Sequence, residues 1–129
     1  MKIQVLQRVA VVGVLLVYEY SAKLDRVIDG DTIDCVIDLG FDIKYKCRVR
    51  LKGIDTPEIR TKDLEEKKRG FAAKERVVEL LSVCETFIIK TELDKKGKYG
   101  RILGTIFINN EESINQILLL EGHAEVYLK

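Results

Sequence analysis

The chain has 129 residues, 47% of them apolar, which is enough for one ordinary core and too few for two domains of usual size. Lys and Arg number 22 against 21 Asp and Glu, so a net charge of +1 neither demands nor excludes a polyanionic partner. Three cysteines without metal-ligand spacing and a single histidine exclude a zinc site.

Residues 1–17, MKIQVLQRVAVVGVLLV, place Lys2 and Arg8 ahead of an apolar run from Val9 to Val17. The run resembles the first two regions of a signal peptide. Tyr20 stands where a cleavage site ending at Ala22 would want a small residue. A retained strand rich in β-branched residues is the preferred alternative, and it favours a cytoplasmic over an exported location. The run is too short to cross a membrane as a helix, so no stable insertion is expected. As an exposed strand it could pair with a second copy, although a monomer is the expected state. Residues 18–129 form the remaining domain.

Tyr18 to Ile28 reads as a strand, and after a turn at Gly30 a second strand alternates Ile33, Cys35 and Ile37 with Thr32, Asp34 and Val36. Asp38 to Asp42 makes a turn. A third strand, Lys44 to Leu51, sets Tyr45, Cys47, Val49 and Leu51 against Lys44, Lys46, Arg48 and Arg50. Cys35 and Cys47 lie symmetrically about Phe41 and would face each other across this hairpin, as a disulfide or as two buried thiols.

Asp55-Thr56-Pro57-Glu58 is a turn fixed by the one proline of the chain. Ile59 to Arg69 carries no apolar period and reads as a mobile charged loop. From Gly70 to Ser82, Ala73, Val77, Leu80 and Leu81 recur at helical spacing. A strand from Glu85 to Thr91, a basic loop ending at Arg101, a strand from Ile102 to Ile108, a helix from Ser113 to Glu121 and an extended end from Ala124 to Leu128 complete the chain. The order suits a mainly β fold with helices, a five-stranded OB-fold Greek-key barrel capped by an α-helix. Fold alone is a weak argument for function.

Asp31 and Asp55 lead the candidates for ligands of a hard cation such as calcium, with the Thr56 carbonyl as a third oxygen. Both also fit plain turn chemistry. Arg50 and Arg101 are either ion-pair partners or a planar fork that grips two phosphate oxygens. Glu58, three residues after Asp55, could orient or deprotonate a water, or could be an exposed turn residue. Lys98 and Tyr99 could meet a nucleotide from the loop that carries Arg101. Tyr127 could stack on a base or serve the core, and His123 reads as a surface residue.

VIDGDTI (Val27 to Ile33), RLKGIDTPE (Arg50 to Glu58), a glycine opening a helix at Gly70, KYGR (Lys98 to Arg101) and NQILLLEGHAEVY (Asn115 to Tyr127) occur in one order with characteristic gaps. On these motifs the chain from about Tyr18 to Tyr127 resembles staphylococcal nuclease (thermonuclease) and its homologous domains. The resemblance implies that Asp31, Asp55 and the Thr56 carbonyl bind calcium, and that Glu58 positions or activates the attacking water. It further implies that Arg50 and Arg101 stabilise the phosphate and that Lys98, Tyr99 and Tyr127 contact substrate. The reaction implied is endonuclease cleavage of the P–O5′ bond in DNA or RNA, leaving a 3′-phosphate. A non-catalytic nucleic-acid-binding module is the rival within the same fold. Two features differ from the family pattern: the loop between the second and third strands is longer, and an apolar N-terminal segment replaces a polar lead-in.

Overall fold

The computed structural model describes residues 8–12, 15–94 and 102–127, with side chains from Tyr18 onward. The strands are β1 (Arg8–Val12), β2 (Leu15–Asp29), β3 (Thr32–Gly40), β4 (Ile43–Leu51), β5 (Ile54–Asp55), β6 (Phe87–Leu93), β7 (Ile102–Phe107) and β8 (Glu125–Val126). The helices are α1 (Leu64–Ser82) and α2 (Ile114–Leu120). Strands β2, β3, β4, β7 and β6 run side by side, and pairing of β6 back onto β2 closes them into a five-stranded, mainly β barrel of OB type.

The barrel closes because β2 is long enough to serve three neighbours. Tyr18 and Glu19 pair with both β1 and β6, whereas Ser21 and Ala22 pair with both β3 and β6. β1 therefore shares an edge of β2 with β3 and stands outside the ring. Breaks in register between Leu24 and Arg26, and between Val27 and Asp29, bend β2 toward its partners.

Period-two alternation sends Ile33, Cys35 and Ile37 of β3 and Val49 and Leu51 of β4 inward, where each is buried. Val77 and Leu81 of α1 and Ile114 and Leu118 of α2 close the same core. Beyond the barrel rim the apolar stripe of the β3–β4 hairpin continues uncovered, with Phe41 95% exposed at its tip.

Two expectations change in detail, and one alternative left open by the sequence is settled. Helix α1 begins at Leu64, within the stretch expected to be a mobile loop. Asp63 caps it, accepting from the N–H groups of Glu65 and Glu66 at 3.0 and 3.3 Å, and these two acids sit at the positive end of the helix dipole. The first turns are solvated, so they carry no apolar period. The turn expected over Asp38 to Asp42 narrows to Phe41-Asp42, because Gly40 already pairs with Ile43. The connection between these two strands is thus a ladder that runs to a two-residue turn. Finally, Cys35 and Cys47 are direct cross-strand partners, and both are free thiols. Hydrogen bonding to Cys47 and burial push the Cys35 thiol far up from its usual range.

Candidate active site

The turn between β2 and β3 fixes Asp31. Its N–H donates to Asp29 Oδ1 at 3.2 Å, and its carboxylate accepts from Thr32 Oγ1 at 3.0 Å and from the Thr56 N–H at 3.1 Å. Asp31 and Thr56 are 8% and 5% exposed, so these bonds form away from water and hold the carboxylate in one orientation. Gly30 makes the packing possible, since a Cβ there would lie 2.8 Å from Ala73 Cβ of α1 and 2.9 Å from the Thr56 side chain.

Arg50 stands opposite Thr32 in the β3–β4 ladder and points outward near the end of β4. Its Nη1 lies 2.5 Å from Asp31 Oδ2 and its Nη2 lies 3.2 Å from Asp55 Oδ1, so one guanidinium spans both aspartates. Nη1 is buried and its approach to Asp31 lacks hydrogen-bond alignment. The chain reaches Asp55 through Lys52-Gly53, where Gly53 takes the left-handed φ of 79° that a side chain would resist. Ile54 and Asp55 then pair with Val126 and Glu125, which carries Tyr127 to the site. The Tyr127 N–H donates to Gly53 O at 2.9 Å, and its ring centroid is 5.7 Å from Arg50 Cζ. A cation over an aromatic face is attracted to it, so Tyr127 helps to aim the guanidinium.

Glu58 lines a cleft of about 550 Å³ with Asp55, Thr56, Glu66, Arg69 and His123. The structure therefore gathers Asp31, Arg50, Asp55, Thr56 and Tyr127 in one connected set of contacts, with Glu58 in the adjoining cleft. His123 lies in that cleft, 3.9 Å from Glu121. Lys98, Tyr99 and Arg101 lie outside the described residues.

The electrostatics follow from this packing. Burial, and then the neighbouring Asp31, push the Asp29 carboxyl up to about 6. Burial opposes ionisation of Asp31 as well, but hydrogen bonds from Asp29 and the Thr56 amide, with the charge of Arg50, outweigh it and hold that carboxyl below its usual value.

Among the described residues no group of three or more His, Cys, Asp and Glu side chains converges as a metal cage. The donors present are nonetheless all oxygen, and two carboxylates converge on one cationic group. That set fits a hard cation and not a soft one.

Two residues that organise the site carry no motif. Asn115 of α2 is buried; its Nδ2 donates to the carbonyls of Lys52 at 2.9 Å and Gly104 at 3.1 Å, while Oδ1 accepts from the Ile106 N–H at 3.1 Å. It ties the turn between Arg50 and Asp55 to β7. Glu66 of α1 accepts from the Glu58 N–H at 3.1 Å. A polar residue between Ile114 and Leu118 on the apolar side of a short helix was the one available sign of the first.

Fold and site together are those of a small OB-type barrel whose outer face presents an acidic pair spanned by a guanidinium. The chain is a member of the family described as Staphylococcal nuclease homologue, whose pattern matches residues 48–129. It is 34% identical over 133 residues to an uncharacterized protein of Methanocaldococcus jannaschii, covering 84% of this chain and 60% of that protein. It is 33% identical over 106 residues to Endonuclease YncB of Bacillus subtilis, covering 82% and 47%. It is 29% identical over 127 residues to Micrococcal nuclease of Shigella flexneri, covering 92% and 65%. The chain thus spans about half to two thirds of the length of these relatives. No helix among the described residues is long and apolar enough to cross a membrane.

Proposed function

We propose that this domain is a calcium-dependent nuclease that hydrolyses phosphodiester bonds of DNA or RNA at P–O5′, leaving 3′-phosphates. The observation that carries this reading is the Arg50 guanidinium spanning Asp31 and Asp55. It sets a phosphate-gripping fork against two carboxylates at one spot on the barrel. Membership of a nuclease-named family and relatives named as nucleases support the same reading.

In this mechanism Asp31, Asp55 and the Thr56 carbonyl would hold the calcium ion, which when bound supplies positive charge against the phosphate oxygens. Arg50 turns from the aspartates to two phosphate oxygens, with the ring of Tyr127 limiting its swing. Arg101, outside the described residues, would add a second guanidinium, and Lys98 and Tyr99 would meet the adjoining nucleotide. Glu58 orients a water from the cleft and accepts its proton as the oxygen attacks phosphorus. The P–O5′ bond then breaks, its electrons leave with the 5′ oxygen, and that oxygen takes up a proton.

The test is degradation of plain single-stranded DNA by the purified chain with calcium, with and without a chelator. Cleavage that stops with chelation, leaving 3′-phosphate ends, supports the reading. Binding without cleavage under calcium would assign the chain to the non-catalytic nucleic-acid-binding members of this fold.

A further inference from the structure

We propose that Glu66 is a positioning residue that fixes Glu58 through its backbone amide, a role that rests on the part given to Glu58 above. Pro57 has no N–H, so Glu58 is the first residue after Thr56 whose amide can be anchored. The Thr56 N–H is held by Asp31 and the Glu58 N–H by Glu66 Oε2, so two anchors straddle the proline. Residues 56–58 belong to no strand or helix, so no ladder bonds duplicate these anchors.

The hydrogen bonds around the helix start show that Glu66 is diverted to this task. With Asp63 at the N-cap, Glu66 is the third helical residue, the position from which a glutamate ordinarily reaches back to the cap N–H. Here the Asp63 N–H donates instead to Thr61 Oγ1 at 3.2 Å. That leaves the Glu66 carboxylate to accept from Glu58, a charge-assisted bond at the positive end of the helix.

The same side of α1 supplies the rest of the contact. One turn on, a Cβ at Gly70 would lie 2.8 Å from Pro57 O and 2.9 Å from Glu58 O, so the helix meets this segment backbone to backbone. Ala73 follows, against Gly30 of the other acidic turn. Glu66, Gly70 and Ala73, spaced by four and three, thus press one helix face against both acidic turns. Within this face Glu66 makes the hydrogen bond that sets the direction in which Glu58 leaves the chain.

The experiment compares Glu66→Ala with Glu66→Gln, since glutamine keeps an acceptor oxygen and loses the charge. Steady-state cleavage of single-stranded DNA under calcium should show kcat lowered about ten- to a hundredfold in Glu66→Ala with KM changed less than about twofold. Glu66→Gln should recover most of that loss. Thermal midpoints should stay together, because Asp63 and Thr61 still cap the helix. In the metal-free protein the Glu58 amide proton should shift upfield and exchange faster in Glu66→Ala and not in Glu66→Gln. A wild-type kcat in Glu66→Ala, an unmoved Glu58 amide, or equal damage in Glu66→Gln would overturn the assignment. A chain that cuts nothing would sink the nuclease reading, while the Glu58 amide would still decide whether Glu66 holds it.

Discussion

Gly30 and Ala73 meet with no room for a side chain between them: a Cβ built on Gly30 would come 2.8 Å from that of Ala73. Neither neighbour is the free end of a flexible side chain, so Gly30→Ala must displace either the Asp29-Gly30-Asp31 turn or α1. Overpacking of this kind costs about 1–3 kcal/mol. A lower urea midpoint at unchanged slope is the expected result, and a wild-type midpoint would show that the helix yields freely.

Asn115→Ala tests the other tie between the core and the site. The substitution leaves the Lys52 and Gly104 carbonyls and the Ile106 N–H without their side-chain partner. Unsatisfied buried groups cost about 1–3 kcal/mol each, and with partial relief by water a total loss of about 3 kcal/mol is expected in chemical unfolding. Because Lys52 lies in the turn between Arg50 and Asp55, cleavage should fall by more than the unfolded fraction explains.

How much of this was legible in the sequence depends on whether a residue's role is local. The hairpin could be read because Ile33, Cys35, Ile37, Val49 and Leu51 keep period two where the barrel covers them. The acidic turns could be read because Asp-Gly and Thr-Pro fix backbone shape within a few residues. The start of α1 could not, since Leu64 to Arg69 is solvated and held by the Asp63 cap instead of by packing. Nor could the triple bond set of Asn115, which depends on β7 and α2 lying beside the end of β4, whereas the meeting of Arg50 with Asp31 follows from the hairpin that sets Arg50 opposite Thr32.

The acid limb of stability should carry the signature of Asp34. Arg48 binds it through Nε at 2.8 Å and Nη2 at 3.2 Å, and Arg26 adds a bond at 3.0 Å. The Arg48 bond, then that of Arg26, bring the Asp34 carboxyl from its usual 3.8 down to about 2. A depressed folded pKa means that the unfolded chain takes up the proton first. The stabilisation is therefore complete above about pH 4 and is lost as pH falls through about 2. Asp34→Asn should flatten urea midpoints measured between pH 4 and 2, and an acid limb as steep as that of the wild type would refute the assignment.

The tip of the β3–β4 hairpin holds Phe41 and Asp42 at φ of 56° and 61°, the left-handed pair that a type I′ turn requires and that asparagine and glycine adopt most readily. Since Phe41 is 95% exposed, removing its ring forfeits no packing. Phe41→Asn should raise stability by about 0.5–1 kcal/mol, seen as a Tm higher by a few degrees. A lower Tm would mean that the ring rests on a surface of its own chain.

Arg50→Lys separates charge from geometry. Lysine keeps the positive charge but ends in one ammonium, which cannot span Asp31 and Asp55 as the two guanidinium nitrogens do, nor grip two phosphate oxygens side by side. Loss of a group that stabilises charge in the transition state commonly costs about a hundred- to a thousandfold in turnover. Arg50→Ala should show that loss in calcium-dependent cleavage, and Arg50→Lys should recover little of it. Binding of single-stranded DNA in chelator should weaken less than about tenfold in either variant, since phosphate contacts elsewhere along the strand remain. Turnover in Arg50→Lys within about threefold of wild type would show that charge alone suffices, and that the planar fork between the two aspartates is not what the reaction uses.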